Sequence, residues 1–238
     1  MKNPICISTG FVYKISEDMN EKIRLLKQFS ADGIELNFAS SKDLINFKIT
    51  QDNLEYLKNK RITIHAPWKD IIYGNNLNCI NTLNSIQELY NKTNALLVNL
   101  HKRTEDDLEI FKNYNFIASI ENEDWRTGIN TPKGIDKILM ENTNLGFTFD
   151  FAHALTVSPD DIPIYVNQFK NRIVQVHLSY LDKNLRDHYF LHKYDSKEVR
   201  VLLSNLKSLN VPFVLECVAP NLDEMQLVKQ EIEYLRGL

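Results

Sequence analysis

GFTFDFAH, residues 146–153, carries in eight positions the two signals that decide how this chain folds. The apolar run 146–149 has the length of a β-strand. It stops on a carboxylate, Asp150, with a histidine, His153, three positions further on. A carboxylate that directly follows an apolar strand is costly to bury unless it is paired or bound to a cation. Such a stretch therefore asks for a fold that buries strands and gathers their ends around something polar.

Outward from this stretch the pattern repeats. Apolar runs of strand length, rich in Ile, Val, Leu and Phe, recur at 4–8, 33–36, 61–65, 95–100, 116–120, 173–177 and 212–215, giving eight in all. Helical periodicity fills the gaps at 20–29, 81–94, 105–112, 131–140, 159–169, 196–209 and 222–235. The connection 40–58 is less regular, with helical stretches near 43–47 and 52–57. Acidic groups and capping oxygens at Ser16-Glu17-Asp18, Thr104 to Asp107, Ser158 to Asp161 and Asp195-Ser196 mark several helix starts. Alternating strand and helix, with strands apolar throughout, indicates a parallel sheet covered on its outside by helices. No glycine-rich phosphate loop follows any strand. The expectation is an α/β fold: one (β/α)8 TIM barrel spanning 1–238, its active site at the C-terminal face of the strands.

Composition narrows the function classes. The chain has 238 residues, 43% of them hydrophobic and 25% charged, with a net charge of -3. It offers no basic field for a phosphate backbone. Its three cysteines, Cys6, Cys79 and Cys217, are odd in number and far apart, which suggests neither a disulfide framework nor a thiolate zinc site. The reading expects a cytoplasmic protein with no export signal and no membrane span. It leaves oligomeric state open.

The polar residues fall in one place. Of six histidines, His65, His101, His153 and His177 lie at or just past a strand end, and His188 and His192 share one following loop, none of them in an expected helix. Glu121, Asp150 and Glu216 each directly follow an apolar strand, and Glu35 lies near the end of another. A single strand-end histidine is more often a hydrogen-bonded core residue than a ligand, and a single glutamate is as often a structural ion pair. Convergence changes the balance, because His65, His101, Glu121, Asp150, His177 and Glu216 end six successive strands in a fold that aims those ends at one point.

The ordered set RITIHAPW (His65), LLVNLH (His101), SIENE (Glu121), FDFAH (Asp150, His153), VQVHLS (His177), RDHYFLH (His188) and FVLE (Glu216) resembles the xylose isomerase-like barrels, over essentially the whole chain. That superfamily includes sugar isomerases and epimerases and the endonuclease IV type of abasic-site nuclease. In the epimerase branch the resemblance implies one divalent cation held by Glu121, Asp150, His177 and Glu216. Three carboxylates and an imidazole suit Mn, Mg, Co or Zn, with positions open for substrate oxygens. Glu121 and Glu216 would then flank a carbon next to a carbonyl and pass its proton through an enediolate, while His153 and Arg186 orient hydroxyls.

In the nuclease branch the resemblance implies three zincs. The groups for two are present. The third, around His153 and His188, is damaged, because Arg186 stands where an Asp is expected and Asp187 lies one position out of pattern. His65 and His101 could complete a second metal site sharing Glu121, or bind a substrate hydroxyl or phosphate. His188, Trp68 and Trp125 are further candidates for a substrate wall. His192 falls where that superfamily often has Gly and has no role in either branch. Three functions follow from this reading: a metal-dependent isomerase or epimerase of a small sugar, sugar phosphate or polyol; a zinc phosphodiesterase on abasic DNA; or a non-catalytic metal- or small-molecule-binding barrel. The first leads, with a carbohydrate partner and no nucleic acid.

Overall fold

The computed structural model describes residues 3–126, 129–182, 184, 186 and 188–238. The apolar runs form β1 (Ile5–Ser8), β2 (Gly33–Asn37), β3 (Arg61–His65), β4 (Val98–Leu100), β5 (Ala118–Glu121), β6 (Gly146–Asp150), β7 (Ile173–Leu178) and β8 (Phe213–Leu215). They pair in chain order and close, since β1 is parallel to both β2 and β8. Closure leaves no unpaired edge. At Gly33 the strands approach so closely that a Cβ would lie 2.2 Å from the Arg61 carbonyl oxygen and 2.5 Å from Cys6 Sγ. Any side chain there would push β2 off both neighbours.

Helices α1 (Met19–Leu26), α2 (Ser41–Asn46), α3 (Gln51–Leu57), α4 (Leu77–Thr93), α5 (Pro132–Glu141), α6 (Phe151–Val157), α7 (Asp161–Phe169), α8 (Lys197–Ser204) and α9 (Leu227–Gly237) form the outer layer. Capping decides where most of them begin. Asp18, Ser40, Thr50, Asn76, Thr131 and Ser196 each accept from the backbone N–H three residues ahead. Asp160 makes no such bond to α7. Each helix then turns an apolar stripe inward; α9 buries Val228, Ile232 and Leu235. No helix of the described residues is long and apolar enough to cross a membrane.

Three expectations change. The helix expected at 105–112 is a 3-10 turn, Leu108–Asn113, because the Asp106 carboxylate is taken by the backbone N–H groups of Tyr73 and Arg103 and holds the chain in a loop. His153 lies in a helix after all, since α6 starts directly at Asp150 with no intervening loop; His192 sits in a second 3-10 turn, Leu191–Tyr194. The strands, finally, are not apolar on both sides. Glu35, Thr63, Asn99, Ser119, Thr148 and Gln175 are fully buried. The Glu35 side chain on β2 meets Gln175 on β7, two strands that do not pair, so this contact crosses the barrel interior. Thr148 meets Ser119 at 2.8 Å in the same polar layer.

Candidate metal centre

Strand parity places the site. Residues two apart on a strand share a face, so the buried polar residues Thr63, Ser119, Thr148 and Gln175 lie directly beneath His65, Glu121, Asp150 and His177. Asn99 is related in the same way to His101, just past β4. One polar floor thus carries one ring of ligand-type groups.

Glu121 is the hub. It is fully buried, accepts from the Asn99 amide, and has His177 Nδ1 and His153 Nδ1 at 3.3 Å, His101 Nε2 at 3.5 Å and His65 Nε2 at 3.6 Å. Its ligand atom and those of Asp150, His177 and Glu216 all lie within 4.8 Å of one another, as do those of His65, His101 and Glu121, and of His65, His177 and Glu216. Local bonds orient each ring. His65 Nδ1 is held by its neighbour's carbonyl, Ala66 O, at 3.1 Å, which leaves Nε2 facing inward, 3.1 Å from His101 Nε2. His101 has its other nitrogen, Nδ1, 3.3 Å from Glu123 Oε1 and stacks on Trp68. His177 turns Nδ1 toward Glu216 and Nε2 toward Glu35. Asp150 caps α6 through Oδ1, which accepts from His153 N at 2.6 Å.

The electrostatics are those of a cluster short of positive charge. Burial pushes Glu121 up, but His177 and His101 outweigh it and hold the carboxyl well below its usual range. Glu216, also raised by burial, is pulled down to about 2 chiefly by His177. Burial drives Asp150 up; His153 opposes this, Glu121 and Glu216 add to it, and the group reaches about 8. Burial lowers His101, yet Glu123 and Glu121 overcome it and raise the imidazole to about 10. Protons on histidines and on Asp150 therefore neutralise a crowded set of carboxylates. Even so, Glu121 Oε1 and His177 Nδ1, both buried, have no hydrogen-bond partner. Two orphaned donor atoms aimed into an oxygen-rich ring fit a divalent cation, and the cluster could hold one.

A cavity of about 680 Å³ opens from this ring over the β1 and β2 loops. Glu216, His188 and Trp68 line it near the ring, and Lys22, Lys42 and Lys69 line it further out. His188 is held in the left-handed region, φ 69°, between the Ser179 hydroxyl that receives its N–H and the Val218 N–H that donates to its carbonyl. Other expected substrate residues lie elsewhere. Arg186 is largely exposed and forms a forked pair with Asp182 at 2.7 and 2.5 Å. Trp125 is 60% exposed, and neither residue is among those lining the cavity. His153 is buried beside Glu121, with Nδ1 2.9 Å from the Asn122 carbonyl. Asp187 lies outside the described residues.

His192 has its answer here: it is bonded at 2.6 Å to the buried carboxylate of Glu231 on α9. Sequence reasoning offers Glu35 as a substrate contact or a structural pair, and it missed Asn99, Glu123 and Gln175. The signal for Asn99 and Gln175 was present, because each stands two positions before an identified histidine.

No family model matches the chain, and no curated protein matches it. Solved structures do. A D-tagatose 3-epimerase-like protein is similar at 18% identity with a TM-score of 0.70, covering 98% of each chain. The D-allulose 3-epimerase of a Methylomonas species, solved in complex with D-allulose, is similar at 13% identity and a TM-score of 0.71, over 99% of this chain and 96% of that one. Endonuclease IV from Thermus thermophilus is similar at 12% identity and a TM-score of 0.68, over 98% of each. At such identities the likeness is one of fold, that of a closed eight-stranded (β/α)8 barrel.

Proposed function

We propose that the chain is a divalent-metal-dependent isomerase or epimerase of a small sugar, sugar phosphate or related polyol. The observation that carries this reading is the four-residue group Glu121, Asp150, His177 and Glu216, converging within 4.8 Å, with Glu216 at the wall of the cavity. These four residues would hold one ion, Mn, Mg, Co or Zn. His65 and His101, sharing Glu121, would hold a second. A bound divalent cation polarises a substrate carbonyl and offsets the negative charge that develops when a neighbouring C–H is broken.

The protein groups do the rest. Glu216, ionised through the physiological range, takes the proton from the carbon beside the carbonyl, and a proton is then returned to that carbon by Glu216 itself or by Glu121 once it has drawn one from solvent. Trp68 closes one wall over the histidine pair, excluding water from the ring. His188, at the cavity wall, and His153, beside Glu121, orient hydroxyls. Incubation of the Mn-loaded protein in D2O with a panel of ketohexoses and their phosphates, followed by NMR, tests the proposal. Deuterium should enter one substrate carbon in the wild type and not in Glu216→Gln. Exchange that survives in Glu216→Gln would remove Glu216 from the mechanism.

The nitrogen-rich group His65, His101 and Glu121 supports a second reading, a zinc phosphodiesterase acting on abasic DNA. Three zincs per chain together with cleavage of an abasic-site duplex would establish it in place of the first.

A further inference from the structure

Glu35 lies below the ring, fully buried on β2, and the proton transfer described above does not use it. Its Oε2 collects three potential donors: the Gln175 amide at 2.8 Å, His177 Nε2 at 3.1 Å and the Thr63 hydroxyl at 3.4 Å. Its Oε1, equally buried, has no partner. A carboxyl group half unsatisfied in a barrel interior is a poor structural element. An apolar side chain of similar volume would spare its desolvation, and such replacements of buried charged groups are often neutral or stabilising. Something other than stability accounts for a glutamate here.

The geometry points to His177. Its two ring nitrogens have opposite surroundings. Nε2 faces Glu35, while Nδ1 looks into the space between Glu216 Oε2 at 3.2 Å and Glu121 Oε2 at 3.3 Å and forms no hydrogen bond. A neutral imidazole carries one proton, and its position decides whether Nδ1 presents a lone pair or a hydrogen to the ring. We propose that Glu35 is a positioning residue: it accepts the Nε2 proton of His177 and so keeps the Nδ1 lone pair directed at the ion position. In the competing arrangement the Gln175 amide, 2.7 Å from Nε2, donates to that nitrogen and the His177 proton moves to Nδ1, where it blocks the ring. With the proton on Nε2, Gln175 no longer donates to that nitrogen; its amide N–H is directed to Glu35 Oε2, 2.8 Å away, and braces it. Outer carboxylates behind metal-bound histidines set tautomer and orientation, and their loss weakens metal affinity about 10- to 100-fold.

This inference rests on His177 being a metal ligand, and its test keeps the two ideas apart. Mn2+ affinity is measured by chelator competition for the wild type, Glu35→Gln, Glu35→Leu and Glu231→Gln, each also melted without metal. The expected result is affinity about 10- to 100-fold weaker in Glu35→Gln, weaker again in Glu35→Leu, and within about twofold of wild type in Glu231→Gln. The metal-free melting temperature should fall most in Glu231→Gln. Wild-type binding with Glu35 variants unchanged overturns the inference and leaves the metal reading standing. No binding in the wild type overturns both. Should the Glu35 variants fail to fold, histidine 15N–1H correlation spectra of the zinc-loaded wild type decide the matter. The His177 proton is expected on Nε2, and a proton on Nδ1 overturns the proposal.

Discussion

Two histidine–carboxylate clusters lie among the described residues, and they differ in what is left over. At His192, Glu231 is fully buried and completely used: Oε1 accepts from Leu191 N at 2.7 Å, and Oε2 accepts from His192 N at 3.0 Å and His192 Nδ1 at 2.6 Å. At the barrel mouth, Glu121 is equally buried, yet Oε1 forms no hydrogen bond, although His153 Nδ1 lies 3.3 Å away, and the Nδ1 of the adjacent His177 forms none either. The first cluster ties the loop after β7 to α9 and completes its own hydrogen bonding. The second concentrates carboxylates that protein donors do not satisfy. Burial and residue type are the same in both, so the unspent bonding capacity is what separates a lock from a candidate reaction centre.

Four experiments break or sharpen that contrast. The largest effect is expected from Glu216→Gln, which should lower kcat about 10³-fold or more, far out of proportion to any change in melting temperature. A variant that loses stability instead would place Glu216 with Glu231. Next is Glu231→Gln, which leaves buried N–H groups short of a charged acceptor and should cost about 1.5–3 kcal/mol of unfolding free energy in denaturant titrations. Turnover should not change, and a loss of turnover would join the two clusters functionally.

The third is pH. In the metal-free protein Asp150 is raised from 3.8 to about 8 and His101 from 6.5 to about 10. Groups raised in the folded state stabilise it fully below their unfolded values, and that contribution is lost as pH climbs through the folded values. Glu216, lowered from 4.5 to about 2, has the opposite sign: its contribution is fully present above 4.5 and is lost as pH falls toward 2. Metal-free melting temperature should therefore fall across the window from 3.8 to about 10, through Asp150 up to about 8 and through His101 from 6.5 upward, while the rise produced by Mn2+ widens as ligands shed protons. A metal-induced rise that shrinks with pH contradicts the assignment.

The smallest effect is that of Glu123→Gln. It should weaken only a second, His101-side ion by about tenfold or less, read as a change in zinc stoichiometry at limiting metal.

Much of this architecture was legible because it is written in periodic signals. Each apolar run became a strand, and the acids and histidines closing them gathered as expected, since closure of the sheet leaves strand ends no other place to point. What escaped was non-periodic. The passage from Asp150 straight into α6 was hidden because one residue ends a strand and caps a helix, and FAHALTV offers only seven residues of periodicity. The turn at Leu108–Asn113 depends on Asp106 bonding to Tyr73, 33 positions away. The Glu35–His177 contact joins residues 142 positions apart across the barrel and has no local trace at all. The fork between Arg186 and Asp182 was equally hidden, because a side chain's choice between rim and pocket depends on a loop's shape.

Asp150 carries one more consequence. Oδ1 is engaged by the first turn of α6, which leaves Oδ2 as the freer oxygen, and turning both oxygens toward an ion would strain a helix cap worth about 1 kcal/mol. If Asp150 holds an ion, it would do so chiefly through one oxygen. The start of a helix would thereby leave more of the ion's coordination to groups from outside the protein.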